Sequence, residues 1–450
     1  MKAYDDFIKS KITTRDASGF ECDFSDSPLY DFQREIINFS LVSGKSSIFA
    51  DCGLGKTPMQ LVWADKVCRQ TSGRVLIVAP LAVSDQTVRE SIKFGITAEK
   101  SKTGDLGKWI TVTNYERLHY FKPDDFVGIV LDESSILKNY AGKIREAITI
   151  FMQDIPYRLL CTATPAPNDY MEFGTSAEAL SIMRRVEMLA QYFAHNSGDT
   201  QKWTLRGHAE NPFWKWMSTW SRAIRKPSDL GYDDKGFILP EFKVMHKTIK
   251  SKAPAGSLFP VVAATLNEQR AVRRESLTDR CEMAASIANA TDNPVIAWCD
   301  LNDESALLTK LICGAVEIKG GDSDEHKEKS MLGFSNGDIR CVVTKPSIAG
   351  FGMNWQHCAD MTFFPTHSHE QFYQATRRCW RYGQSNSVTC SLIYTESEMS
   401  VVENLMRKER NANAMYDKII ANMKSYQTHN AKREYTVSEK MEVPKWLKSA

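Results

Sequence analysis

A chain of 450 residues is too long for one ordinary domain and long enough for two or three, each with its own core. With 42% hydrophobic and 25% charged residues, and no apolar run approaching the roughly 20 residues that span a bilayer, the composition excludes a membrane role. A formal charge of +2 excludes a passive basic coat on nucleic acid while allowing local basic surfaces, and 11 scattered cysteines without a C-x-x-C pair exclude a disulfide framework.

The opening MKAYDDFIKS has no apolar stretch followed by small residues, so no secretory signal is expected and the chain is placed in the cytoplasm. Short apolar runs then recur at 47–50, 75–80, 110–113, 128–131 and 158–161, each ending near polar or Gly-rich residues. From 171 to 257 the pattern breaks into a Trp-rich and then a Gly/Pro-containing stretch, KPSDLGYDDKGFILPEF, and a second series follows at 294–299, 315–318, 341–344, 361–364 and 388–394. This spacing predicts an α/β protein with mostly parallel sheets flanked by helices. The expected division is an extension at 1–20, a first lobe at 21–170, an insertion and linker at 171–257, a second lobe at 258–396, and a C-terminal helix and tail at 397–450. Within the last part, 401–426 is Pro-free with apolar spacing near 3.6 and reads as a helix.

After the run at 47–50, ADCGLGKTP sets Gly53, Leu54, Gly55, Lys56 and Thr57 between a strand and a helical stretch that continues to 67. That order suits a triphosphate. Bare backbone N–H groups curl around its oxygens, Lys56 reaches the β- and γ-phosphates, and the Thr57 hydroxyl takes Mg²⁺. The general pattern asks for Gly where this chain has Ala50, so the strict match fails at its first position and an ordinary Gly-rich turn is the alternative.

The strand at 128–131 runs into Asp132 and Glu133, placing two carboxylates where open α/β sheets bind ligands. Asp132 suits Mg²⁺ through water, and Glu133 suits the attacking water, because phosphoryl transfer rests on positioning and electrostatics. Two adjacent acids alone are more often a helix-entry feature. RLLCTATPAPN next sets Thr162, Thr164 and Pro165 after a further strand, either linking a nucleotide site to a bound strand or forming a plain turn.

In the Trp-rich stretch Phe213, Trp216 and Trp220 recur at i, i+3 and i+7 and are expected to pack. Lys215, Arg222 and Lys226 fall on another side of the same expected helix, as a grip on a phosphate backbone or as a solvated face. Further on, GFGMNW supplies Gly350, Gly352 and Asn354 after a strand, where backbone comes close to a ligand or to the other lobe. QFYQATRRCWRYGQ gathers Gln374, Arg377, Arg378 and Arg381, two of them three residues apart on one expected helical face. Arginine acting across a lobe interface meets γ-phosphate charge; a solvated basic helix is the alternative. His357, Cys358, His367 and His369 fit no common zinc spacing, and structural roles are expected for them.

Over about 29–394 the ordered set resembles superfamily 2 helicases and, within them, the Swi/Snf family of ATP-dependent DNA translocases. LYDFQ resembles the glutamine motif that recognises adenine, here Gln33, and ADCGLGKT is similar to motif I in its Ala-first form, which accounts for Ala50. VAPLAV and VTNYERL resemble motifs Ia and Ib, DESSILKN resembles motif II with Lys138 and Asn139, and CTATPAPN resembles motif III. PVIAWCDLN is similar to motif IV, GFGMN to motif V, and QATRRCWRYGQ to motif VI, with Arg378 and Arg381 matching its paired arginines. DESS in place of DEAH, and Arg377 where the family usually has Asp, are departures.

The resemblance implies two RecA-like lobes closing on ATP and Mg²⁺. Gln33, Gly53, Leu54, Gly55, Lys56, Thr57 and Gly352 would meet the nucleotide, with Thr57 and Asp132 on the metal. Lys56, Asp132, Glu133, Gln374, Arg378 and Arg381 would carry hydrolysis. Pro80, Thr113, Lys138, Asn139, Thr164, Thr344 and Lys345 would follow nucleic acid, joined by Lys215, Arg222 and Lys226. The expected activity is ATP-driven translocation on nucleic acid, duplex DNA above all, in replication, recombination or repair, by a chain that is monomeric when free. An RNA-remodelling helicase and an ATP-switched clamp or loader that does not move are the alternatives. The compact length without recognisable flanking domains resembles members carried by bacteriophages, which places the chain in a host cytoplasm.

Overall fold

The structure, a computed structural model, describes residues 17–431 apart from 26, 140, 197–198, 252–265 and 351–352. In the first half, strands β1 (Lys45–Ala50), β2 (Val75–Ala79), β3 (Ala98–Lys100), β4 (Ile110–Asn114), β5 (Gly128–Asp132) and β6 (Tyr157–Thr162) form, all where the apolar runs lie except β3, a three-residue edge strand of sequence AEK that no run marks. An antiparallel ribbon of β7 (Phe193–Asn196) and β8 (Asp199–Leu205) follows, and then β9 (Ser221–Ile224). The seven-stranded sheet runs β3-β4-β2-β5-β6-β1-β9, parallel throughout. The second half builds β10 (Phe242–Ile249), β11 (Val295–Trp298), β12 (Ala315–Ile318), β13 (Cys341–Thr344), β14 (Asp360–Phe363) and β15 (Val388–Thr395) into a six-stranded parallel sheet of order β10-β15-β14-β11-β13-β12.

Each sheet is covered by helices on both faces, which is why its central strands read as unbroken apolar runs rather than as alternation. Successive side chains still point opposite ways. Leu76 and Val78 of β2 enter one core, and Val75 and Ile77 enter the other. In the second sheet Ile296 and Trp298 face one core, and Val295 and Ala297 face the other.

Residues 171–257, expected as insertion and linker, supply a strand to each sheet: β9 pairs with β1, and β10 pairs with β15. The helix Glu210–Trp220 buries Phe213, Trp214, Trp216 and Trp220, with the Trp220 ring 6.1 Å from that of Phe49 on β1. Trp220→Ala is therefore expected to cost on the order of 3 to 5 kcal/mol through the cavity it leaves. Denaturant melting checks this, and an unchanged midpoint would contradict the packing.

No basic stripe runs along that helix, because it ends at Trp220. Arg222 lies on β9, buried, with its guanidinium 3.3 Å from the centre of the Phe39 ring and donating to Ser218 O at 2.7 Å. Lys226 stands beyond the strand, 3.7 Å from Asp234, and of the three only Lys215 lies on the helix, where it is exposed.

The last element is a continuous helix, Met399–Ala431. Val402 and Leu405 lie in the core of the second lobe, whereas Met415, Tyr416, Ile419, Ile420 and Met423 lie in the core of the first. Its far half runs under β9, where Met423 Sδ accepts from Ala223 N–H at 3.0 Å. Among the described residues no helix is long and apolar enough to cross a membrane.

Candidate nucleotide site and inter-lobe cleft

β1 ends at Ala50, and the chain turns through Gly53 and Gly55 at φ 88° and 81°, a region that side-chain-bearing residues rarely adopt. There is no room for a side chain either. A Cβ on Gly53 would lie 2.6 Å from the Tyr382 ring of the second lobe, and one on Gly55 would lie 2.3 Å from Gln33 Nε2. The helix Lys56–Thr71 starts here, with Thr57 half-buried in its first turn and Lys56 Nζ donating to Ala50 O at 2.9 Å. The Leu54 side chain is fully buried, and its carbonyl accepts from Gln33 Nε2 at 2.8 Å. Gln33 Oε1 accepts from Tyr30 N–H at 3.0 Å, so the glutamine expected at adenine spends one end of its amide on the loop and the other on capping its own helix. Gly352 lies outside the described residues.

β5 delivers Asp132 at its end, and Glu133 follows with φ 53°, one of few non-glycine residues in the left-handed region. Gln60 donates to Asp132 Oδ1 at 2.6 Å. It lay outside the expected set, although four residues from Lys56 it shares that residue's helix face. Burial pushes the Asp132 carboxyl up, against the Gln60 hydrogen bond and Lys56. Burial likewise raises Glu133 to about 7, with Lys56 opposing and Asp132 adding to the shift. For Lys56 burial disfavours the charge, yet Cys52, Glu133, Asp132 and Asp51 more than offset it and hold the ammonium above its ordinary range. One ammonium and two carboxyls thus form a single electrostatic cluster beside the glycine loop.

The second lobe meets this cluster through the helix His369–Thr376, which brings Gln374 Nε2 to 3.4 Å from Glu133 Oε2. Arg377, Arg378 and Arg381 are not on its face, because the helix stops at Thr376 and they occupy the chain that follows. Arg378 donates to Gln374 O and Met353 O, each at 3.1 Å, and its charge acts on Glu133. Burial, then the neighbouring Arg378, lower Arg381 to about 10, and its buried Nε has no hydrogen-bond partner among the described residues. Arg377 pairs with Asp51 at 2.6 Å, both nearly buried, and Tyr373 donates its hydroxyl to the same carboxylate. The unusual arginine at 377 therefore has its own acid in the first lobe.

A cleft of about 950 Å³ opens between the lobes from Glu133 outward. Pro80 lines it at the N-terminal end of the helix Leu81–Lys93, with Arg89, Lys100, Lys102, Arg117, Lys138 and Lys327 around it and the carboxylates of Asp85, Glu116, Glu328 and Glu370 among them, Asp85 paired with Lys100. Lys138 closes the 3-10 turn Ser134–Lys138 and forms an ion pair with Glu370 of the second lobe, while Asn139 beyond it is exposed. Lys345 is half-buried before the short helix Pro346–Ala349. Thr113 and Thr344 do not reach the cleft. Both are buried in their sheets, donating to Ser101 O at 3.2 Å and to Ile318 O at 2.9 Å. Thr164 is buried too, its N–H donating to Thr162 Oγ1 at 3.0 Å. Of the histidine group, His357 packs on Phe334, His367 meets Asn404 at 3.2 Å, and Cys358 and His369 are buried.

No protein-family model matches this sequence, and no curated protein matches it. Among solved structures the chain is similar to the Sulfolobus solfataricus SWI2/SNF2 ATPase core in complex with dsDNA, with 15% identity and a TM-score of 0.42, over 90% of this chain and 95% of that one.

Proposed function

We propose that the chain is an ATP-hydrolysing motor that moves on nucleic acid, with duplex DNA as its track. The observation that carries this reading is the meeting of Lys56, Asp132 and Glu133 from one lobe with Gln374 and Arg378 from the other, at the head of a cleft whose walls carry six cations, three of them paired with carboxylates of the same walls. Phosphates would sit against the backbone of residues 53–57, with Lys56 on the β- and γ-phosphates. A hydroxyl and a carboxylate are hard oxygen donors, so Thr57 and Asp132 fit Mg²⁺, which neutralises phosphate charge when bound. Glu133 orients the attacking water and takes its proton. Arg378 and Arg381 meet the charge that builds on the γ-phosphoryl group, so hydrolysis depends on how the lobes stand to each other.

Steady-state ATP hydrolysis measured with duplex DNA, single-stranded DNA and RNA tests the track, and displacement of a triplex strand tests movement. Stimulation by duplex DNA with triplex displacement is expected. Stimulation by RNA alone would favour an RNA remodeller, and stimulation without displacement would favour a clamp. Because Lys100 and Lys102 line the cleft, replacing both by Ala should weaken DNA binding regardless of sequence and flatten its salt dependence by roughly 0.9 log unit for each lost phosphate contact. A titration across a salt series reads this, and an unchanged slope would remove the two lysines from the track.

A further inference from the structure

Glu370 and Gln374 are four residues apart on the helix His369–Thr376 and so share one of its faces. That face meets a short piece of the first lobe at both of its ends. Gln374 reaches Glu133, the residue before the 3-10 turn, and Glu370 pairs with Lys138, the last residue of that turn. One contact falls on the carboxylate proposed to handle water. The other falls inside the cleft proposed for nucleic acid, which both Lys138 and Glu370 line. The lobes are also linked across the cleft by Arg89 and Glu328 at 3.7 Å, but with side chains 59% and 64% exposed that pair contributes little. Lys138 and Glu370, at 33% and 12%, are better shielded.

We propose that Glu370 is a positioning residue that couples a nucleic-acid phosphate in the cleft to the geometry at Glu133; this rests on the reading of the chain as a nucleic-acid motor. Lys138 carries one ammonium, and a phosphate competes with the Glu370 carboxylate for it. Once the phosphate wins, Glu370 is left with little solvent, without its partner and beside a second negative charge. The helix is then driven off the turn. Gln374 moves with it, and Arg378, which donates to the Gln374 carbonyl at 3.1 Å and to its Oε1 at 3.2 Å while the contact holds, is released to meet the γ-phosphate. Glu133 Oε2 loses its contact with the second lobe, keeps Thr162 at 3.4 Å, and opens to water. In the absence of nucleic acid the ion pair holds the motor back.

The test is steady-state ATP hydrolysis by the full chain, with and without duplex DNA, for the native protein, Glu370→Gln and Lys138→Gln, each checked by its melting temperature. Both variants are expected to raise turnover without DNA about fivefold, the population shift that follows loss of a partly shielded ion pair. They should part company on DNA. Glu370→Gln frees Lys138 and lowers the DNA concentration giving half-maximal turnover, whereas Lys138→Gln removes the phosphate partner and raises it. A merely structural role for Glu370 would not tighten DNA binding. Native turnover without DNA in either folded variant overturns the coupling. A native protein that no nucleic acid stimulates overturns the motor reading instead.

Discussion

Glu133→Gln is expected to leave ATP binding intact and to slow hydrolysis by about 10²- to 10⁴-fold, the range that a positioned general base supplies. The amide keeps the size of the side chain and its contacts with Gln374 and Thr162, each now at 3.4 Å, but it has no basic oxygen to accept a proton. The backbone supports the same assignment. Glu133 holds a left-handed conformation that costs on the order of 1 to 3 kcal/mol in a non-glycine residue, a cost that concentrates where a side chain must be aimed. Lys56→Ala provides the contrast, because it removes the phosphate contact itself and should lose nucleotide affinity as well as turnover. Nucleotide binding and single-turnover hydrolysis measured side by side separate the two. Near-native single-turnover rates in Glu133→Gln would remove it from the reaction.

Arg381→Ala should reduce hydrolysis by about 10³- to 10⁵-fold, the range attributed to an arginine that meets γ-phosphate charge from outside the phosphate loop. Arg381 is poorly used by the protein itself. It is half-buried, its neighbour Arg378 works against its charge, and its Nε lacks a partner among the described residues. A guanidinium kept in such surroundings is stabilised by an incoming anion. Nucleotide affinity should change little, since the first lobe holds the other phosphates. An unchanged turnover rate in a folded Arg381→Ala variant would contradict the assignment.

The central strands were legible from sequence because helices cover both faces of each sheet and make the runs apolar throughout. β9 and β10 were not. SRAI is four residues long with an arginine that the fold buries against Phe39, and FKVMHKTI alternates along a sheet edge. Neither resembles a buried run. The glycine loop and the acidic pair were legible because their chemistry lies in adjacent residues. Gln60 with Asp132, Lys138 with Glu370, and Asp51 with Arg377 were not, being 72, 232 and 326 residues apart. Thr113 and Thr344 show a different limit. Their motifs mark strand ends, but which way a side chain turns there is decided by the neighbouring strand carbonyls that accept its hydroxyl.

The helix Met399–Ala431 sets how one lobe can move on the other. Between Leu405, fixed in one core, and Met415, fixed in the other, about ten residues rise 1.5 Å each, so the two anchors stand roughly 15 Å apart along a single rod. A hydrogen-bonded rod does not stretch without breaking turns. The rod therefore keeps the two lobes from drawing apart along its length, and a change in how they stand to each other has to run around this axle.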